Sequence, residues 1–582
     1  MSKDIQLQGG QGKAEQQWRA LVEQIDRHAQ GKTGQMLGGI SPIQTTLVYL
    51  DWLSHLMASP GKQLDVLKGT LEDVQEATVK LMQPGQHPSN CCDDPRFSSP
   101  AWQQWPFHLY AQGFQIMERA WDRATHDVPG LSHKHSDVAS FAARQWMDVF
   151  SPSNLPWLNP DVIQATREEG GVNLFRGAMN WLDDAHRLAH KQAPAGTEAF
   201  EPGVNVAVTP GKVVFRNKLI ELIQYSPATD KVHAEPILIV PAWIMKYYIL
   251  DLSPHNSLVK YLVDQGHTVF MISWKNPTAA DRDLGMEDYR VDGVMAAIDA
   301  VSKIVPERKI HSVGYCLGGT MLQIAAATMG RDKDDRLATM TLLAAQGDFS
   351  EAGELMLFIN EAEVNLIEAI MAEQGYLKGS QMAGTFQLLH SNDLIWSRLL
   401  KNYMLGLRDK PNDLMAWNAD TTRMPYRMHS EYLHKLFLHN ELASGRYEVN
   451  GQPIWFTDIH VPCFAVGTVT DHVAPWKSVY KLHLLPLDVT FVLTSGGHNA
   501  GIVSEPGHPH RSFQIHHRPP EERYVAPERW QANTPHREGS WWPAWENWLV
   551  SHSSGLVAPP QMGLPDQKKK LPDAPGEYVH QL

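Results

Sequence analysis

The second half of the chain carries a series of short apolar runs whose spacing suits few folds. PILIV (236–240), TVFMISW (268–274), KIHSVGY (309–315), ATMTLLA (338–344), VPCFAVG (461–467) and VTFVLTS (489–495) are all of strand length. Helix-length stretches such as SLVKYLVDQG and VDGVMAAIDAVSKIV lie between most of them. Runs that are apolar throughout suit strands covered on both faces, and alternation with helices supplies the crossovers, so the pattern predicts an α/β fold with a mostly parallel sheet. GKVVFRN and IELIQYSP, just ahead, predict two antiparallel strands. One interval breaks the rhythm, with about 110 residues between Ala345 and Trp455, far more than a crossover needs. ELMLFINEAEVNLIEAIMAEQ and SNDLIWSRLLKNYMLGL give this insert helices of its own. Ligands of open α/β sheets sit beyond the carboxyl ends of the strands, so a helical cap is expected there.

The first part of the chain has a different period. From Trp18 to about Trp181, stretches such as TTLVYLDWLSHLMASPGKQLDVL and GGVNLFRGAMNWLDDAHRLA space their apolar residues by three and four, which predicts helices. CCDDPRFSSPAWQQWP is rich in breakers and reads as a loop or surface-wrapping segment. The expected divisions are a polar extension over 1–35, a helical domain over 36–200, a sheet domain over 201–552 with its cap insertion at about 346–454, and a tail over 553–582. GSWWPAWENWLV, near the end of the sheet domain, places Trp541, Trp545, Trp548 and Leu549 at helical spacings, the mark of an aromatic helix packed on the sheet.

A formal charge of -13 disfavours a nucleic-acid partner, because phosphate contacts need a basic surface. MSKDIQLQGGQGKAEQQ lacks the apolar core of a secretory signal, and no apolar run reaches the roughly 18 to 20 residues of a membrane-spanning helix. A cytoplasmic protein without a transmembrane segment is expected. The four cysteines, Cys91, Cys92, Cys316 and Cys463, form neither a disulfide framework nor a zinc spacing.

HSVGYCLGGT (311–320) follows an apolar strand and precedes a good helix, TMLQIAAAT, which is the setting of the G-x-S-x-G nucleophile elbow with cysteine in place of serine. Gly314 and Gly318 are expected to let the backbone turn sharply and put Cys316 at the helix amino terminus, where a thiolate is favoured and an oxyanion can be held. The amide of Leu317 is the first expected oxyanion donor. The second is expected from PAWIM, after PILIV; Pro241 has no N–H, which leaves Trp243 or Ile244.

A thiol nucleophile needs a base. In α/β-hydrolases the chain order is nucleophile, acid, histidine, the last two in loops after late strands. Asp471 follows VPCFAVG and His498 follows VTFVLTS, so order and placement both fit. One Asp or one loop His means little, whereas three matches at the ends of three strands form a site. His472 is assigned to structure and Cys463 to the core. The pairs His133/His135, His508/His510 and His516/His517 come without a third ligand at a plausible spacing, so no metal is expected.

Beyond these motifs, the chain from about Gly38 to Leu549 resembles the polyhydroxyalkanoate synthases, or poly(3-hydroxybutyrate) polymerases. GGISPIQTTLVYLDWLSHLMASPGKQ is similar to a short amino-terminal segment of some members, and DPRFSSPAW, SPSNLPWLNP and GGVNLFRGAMNWLDD resemble their helical amino-terminal domain. KYYILDLSPHNSLVKYLVDQGHTVFMISWKNP, NDLIWS, WNADTTRMP, DHVAPW and GSWWPAWENWL resemble the catalytic domain. The resemblance implies an α/β-hydrolase fold with Cys316 as nucleophile, His498 as base, and Asp471 either orienting His498 or deprotonating the attacking hydroxyl. It implies an acyltransferase that joins (R)-3-hydroxyacyl-coenzyme A units into polyester and releases coenzyme A, with the thioester as substrate and no further cofactor. GYCLGGT is closer to the elbow of class I-like enzymes preferring short monomers such as 3-hydroxybutyryl, although Leu317 stands where valine is commoner. It further implies action without a different partner subunit, a homodimer when active, and a place at the surface of polyester granules beside the growing chain and granule-associated proteins.

The chemistry of a thiol suits that reaction. Thiolate attack on a thioester makes another thioester, so the acyl group stays activated until a hydroxyl converts it to an oxygen ester; a serine would lose that driving force at loading. The alternative is a cysteine-dependent α/β-hydrolase with water as acceptor. A non-catalytic granule-binding scaffold is the third possibility.

Overall fold

In a computed structural model the described residues are Trp18, Val22, 41–82, 94–382, 384, 391, 395–408, 410–565 and 570–582. Cys91, Cys92 and the 1–35 extension, apart from Trp18 and Val22, fall outside them. The chain separates into two compact units, Ile40–Gly196 with Ala383–Lys410, and Thr197–Met382 with Pro411–Leu582. The span read as one cap, 346–454, is thus divided, its middle belonging with the helices. Among the described residues no helix is long and apolar enough to cross a membrane.

The helical unit contains α1 (Pro42–Met57), α2 (Pro60–Met82), α3 (Phe107–Thr125), α4 (His133–Val149), α5 (Pro160–Glu168) and α6 (Val172–Ala189). Side-chain caps start several of them: Ser41 accepts from the N–H of Gln44, Ser132 from His135, and Asn159 from Asp161 and Val162. The indole of Trp52 on α1 donates to the carbonyl of Ala124 on α3 at 2.8 Å. The segment DPRFSSPAWQ does more than wrap the surface, since Phe97 and Trp102 are buried with Ala111 and Phe114 of α3. Residues 399–404 pack on α6, where the Asn173 amide donates to the carbonyl of Met404 at 2.9 Å and Arg408 pairs with Asp183 and Asp184.

The other unit is built on a ten-stranded sheet. Its strands are β1 (Gly211–Arg216), β2 (Ile220–Tyr225), β3 (Ile237–Val240), β4 (Val269–Trp274), β5 (Ile310–Tyr315), β6 (Leu337–Leu343), β7 (Cys463–Thr468), β8 (Val489–Thr494), β9 (Ser512–Arg518) and β10 (His536–Glu538). They lie in the order β1-β2-β4-β3-β5-β6-β7-β8-β9-β10. The six strands from β4 to β8 in that order are parallel, and β1–β2, β2–β4, β8–β9 and β9–β10 are antiparallel. The eight predicted strands are all present; β9 and β10, whose polar sequence carries little strand signal, are additions. Two cores lie on the two faces, Leu238 and Val240 of β3 on one, Ile237 and Ile239 on the other. The helices α8 (Ala296–Ile304) and α9 (Leu317–Arg331) fill the first core, and α7 (Leu258–Asp264) and α10 (Trp542–Ser551) the second.

The chain leaves β3 toward β4 on one side and returns as β5 on the other. That switch opens a crevice at the carboxyl ends of β3 and β5, the usual ligand position of an open α/β sheet. The aromatic helix α10 forms as expected and closes the second core. Trp541, Trp542, Trp545 and Leu549 are fully buried, and the Trp545 indole donates to Thr341 Oγ1 of β6 at 3.0 Å. The tail beyond it is docked on the sheet unit: Leu556–Val557 pairs with Val232–His233, and Glu221 accepts the N–H groups of Glu577 and Tyr578 at 2.9 Å. Trp545→Ala removes a large buried ring and leaves Thr341 without its donor. It is expected to cost about 3–5 kcal/mol of stability, read from the urea unfolding midpoint.

Candidate active site

Cys316 is the single residue between β5 and α9, at φ 52 and ψ -126. The left-handed turn therefore falls on the cysteine itself and not on Gly314 or Gly318, as the sequence had suggested. The glycines serve close approach. A Cβ on Gly318 would lie 2.2 Å from the carbonyl oxygen of Val240 and 2.5 Å from that of Pro241, and one on Gly314 would lie 2.3 Å from Gly319 Cα. The first turn of α9 is thus pressed against the end of β3, and Cys316, half-buried, touches both cores.

The loop leaving β3 carries Trp243 and Ile244. No acceptor among the described residues takes the N–H of Leu317, Trp243 or Ile244. The insert holds this loop from outside: Thr422 Oγ1 donates to the carbonyl of Trp243 at 2.6 Å, and the indole of Trp417 to that of Lys246 at 2.7 Å. Trp243 is buried against Trp274 and Tyr289, with its indole nitrogen 3.4 Å from Met428 Sδ. The carbonyls are thereby occupied while the amides stay free, the state an oxyanion site needs.

Asp471 and His498 lie just beyond β7 and β8. Asp471 Oδ2 accepts from His498 Nδ1 at 2.8 Å and from Thr468 Oγ1 at 3.0 Å, and Oδ1 accepts from the N–H groups of Val473 and Ala474, both at 2.8 Å. Burial opposes the charge on Asp471, but the His498 ring and the two backbone amides outweigh it and hold the carboxyl below its usual pKa. Burial works against the His498 cation, yet Asp471, which accepts from Nδ1, and the nearby Cys316 sulfur together hold the imidazole well above its ordinary pKa. Three residues far apart in sequence thus meet at one place, His498 hydrogen-bonded to Asp471 and interacting with the Cys316 sulfur.

Other predicted groups lie elsewhere. His472 faces Glu354 at 3.8 Å, and Cys463 is buried in β7, its thiol pushed up to about 12 by burial. His135 meets Asp51 at 2.5 Å, His508 meets the carbonyl of Pro509, and His517 meets Asp488 at 2.9 Å.

Sequence reasoning missed the supports around the triad. Tyr315 stacks beside His498 with ring centroids 5.6 Å apart, and its hydroxyl donates to Asn499 Oδ1 at 2.6 Å. Asn499 in turn reaches Asn418 of the insert at 3.4 Å. The indoles of Trp541 and Trp542 donate to the carbonyls of Gly501 and Ile502, both at 3.0 Å, fastening the loop that carries His498. The only local signal was adjacency, Tyr315 beside Cys316 and Asn499 beside His498.

The chain is similar to known proteins over most of its length. Residues 93–262 match the family model "Poly-beta-hydroxybutyrate polymerase (PhaC) N-terminus", 20–62 match "Poly-beta-hydroxybutyrate polymerase N terminal", and 235–505 match "alpha/beta hydrolase fold". The poly(3-hydroxyalkanoate) polymerase of Methylorubrum extorquens is 39% identical over 490 residues, covering 84% of this chain and 80% of that protein. The poly(3-hydroxyalkanoate) polymerase subunit of Cupriavidus necator is 35% identical over 537 residues, covering 91% and 90%. That of Rhizobium meliloti is 34% identical over 577 residues, covering 98% and 92%. With matches of this length running through both the helical unit and the triad-bearing sheet, the chain belongs to the poly(3-hydroxyalkanoate) polymerase family.

Proposed function

We propose that the protein polymerises (R)-3-hydroxyacyl-coenzyme A, with 3-hydroxybutyryl-coenzyme A the favoured monomer, through a thioester on Cys316. The observation that carries the reading is the convergence of Cys316, His498 and Asp471 at the ends of β5, β8 and β7, with His498 hydrogen-bonded to Asp471, in a member of this family. The Cys316 sulfur attacks the thioester carbonyl, and the oxyanion forms opposite the amides of Leu317 and of Trp243 or Ile244. Collapse breaks the bond to the coenzyme A sulfur, which leaves with the proton held on His498. The 3-hydroxyl of another unit then attacks the acyl-enzyme, His498 takes its proton, and the Cys316 thiolate departs as the oxygen ester forms. No cofactor takes part. The reading includes a homodimer acting at the polyester granule surface, with granule-associated proteins as neighbours.

The geometry favours the orienting role for Asp471. Both of its oxygens already accept two hydrogen bonds, and its side chain is closed to solvent. A substrate hydroxyl has no lone pair of Asp471 to approach, so His498 serves as base for both half-reactions. The insert residues Trp417 and Thr422 hold the loop with the free amides, which ties the cap to the geometry of both steps.

Incubation with (R)-3-hydroxybutyryl-coenzyme A is expected to release coenzyme A and deposit insoluble polyester. Soluble 3-hydroxybutyrate as the main product would establish the hydrolase instead. Cys316→Ala is expected to abolish both coenzyme A release and the covalent acyl-enzyme seen by mass spectrometry. Asp471→Asn is expected to slow loading and elongation together by about 10³–10⁴-fold, from the loss of the correct tautomer; single-turnover loading that survives while elongation fails would move Asp471 onto the hydroxyl.

The raised His498 pKa also sets a pH window. Its cation stabilises the fold fully below the unfolded imidazole value of about 6.5, and this contribution is lost as the pH climbs through the raised folded value. The melting temperature of the wild type minus that of His498→Gln is therefore expected to be largest at mildly acidic pH and to narrow under alkaline conditions. A difference that stays flat or widens with rising pH would contradict the ion pair.

A further inference from the structure

At the opposite end of the sheet from Cys316, three ligand-type side chains converge without forming a hydrogen bond to one another. His233 ends the short strand Val232–His233, His267 lies just before β4, and Glu546 is on α10. One nitrogen or oxygen from each lies within 4.8 Å of the others. The backbone brings the histidines together, because the His233 N–H donates to the carbonyl of Gly266 at 2.8 Å and the rings stack at 4.5 Å. Glu546 Oε1 stands 3.8 Å from His267 Nε2, beyond hydrogen-bond length.

His267 points to a ligand. Its side chain is wholly buried, and neither ring nitrogen has a hydrogen-bond partner among the described residues. Buried polar groups of folded proteins are almost always paired, so two open nitrogens on one ring need an explanation. The polar neighbours do not supply one. His311 is taken by Thr339 and Ser553, and Glu235 by Ser554.

From this convergence we infer that His233, His267 and Glu546 form a binding site for a divalent zinc-like cation, with water as fourth ligand. Two imidazoles and a carboxylate are a common donor set for zinc. Tetrahedral bonds of about 2.0–2.1 Å place ligand atoms about 3.3–3.5 Å apart, so closing the set asks for movements of about 1 Å and for the stacked His233 and His267 rings to turn until both in-plane lone pairs aim at one point. The site joins the strand at 232–233, the start of β4 and the aromatic helix α10. It lies at the amino ends of the parallel strands, away from Cys316, and its role is to clamp α10 on the sheet.

The test uses the untagged full-length Cys316→Ala protein, which removes the catalytic sulfur as a competing zinc ligand. After chelator stripping, the protein is titrated with zinc chloride against a chromophoric chelator, and melting curves are recorded with and without zinc. One equivalent bound with a rising melting temperature is expected. His233→Ala and Glu546→Gln, both at half-buried positions and checked for folding by circular dichroism, are each expected to weaken binding by at least about tenfold and to flatten the thermal shift. Failure of the parent to bind one equivalent, or unchanged affinity in both folded variants, overturns the site.

Discussion

The first turn of α9 lies hard against the end of β3, and the candidate active site is arranged around that contact. Gly318 has no side chain because the carbonyls of Val240 and Pro241 occupy that space. With the helix so near, the chain has one residue in which to turn from strand to helix, and Cys316 takes the left-handed conformation that results. Such a conformation is costly for a residue with a Cβ and persists only where the surroundings over-determine it. Here β5, β6 and α9 do so, the Cys316 N–H itself donating to the carbonyl of Leu343 at 3.0 Å. The same contact that strains the cysteine brings the Leu317 amide to the crevice where the loop after β3 begins.

Two other parts of the unit keep that arrangement still. The insert holds the carbonyls of the loop after β3 through Thr422 and Trp417, leaving its amides unused. The aromatic helix α10 holds the His498 loop through the indoles of Trp541 and Trp542. Both use side-chain donors on backbone carbonyls, which fixes a loop without placing a charge near the reacting atoms. Preorganised dipoles of this kind matter most where water is excluded, and Asp471, His498 and Trp243 are all closed off from solvent or nearly so.

The sheet was legible from local pattern because its central strands are buried on both faces, so each of them, from PILIV to VTFVLTS, is mostly apolar, with only a few buried Ser, Thr and His among its residues. The strands β9 and β10 were not legible: SFQIHHR and HRE pair at an edge where one face meets water, and polar residues there carry no period. Cys316, Asp471 and His498 could be singled out as a candidate site because each lies one short step past a recognisable strand. The division inside the cap span was not legible, since only packing groups Ala383–Lys410 with the helical unit.

What the sequence by itself determined is therefore the scaffold and the family, with a cysteine, an acid and a histidine set in order at strand ends of an α/β sheet. These are properties of local pattern, set by burial period and by residue type at strand ends. Only the tertiary structure decided which residue bears the strained φ, which oxygens of Asp471 are already engaged, and which side chains hold the loops. Each of those depends on atoms meeting from segments tens to hundreds of residues apart, Gly318 with Val240, Asp471 with His498, Trp417 with Lys246, and His233 with Glu546. Contact between distant segments leaves no period in a chain, so it cannot be read before the chain is folded.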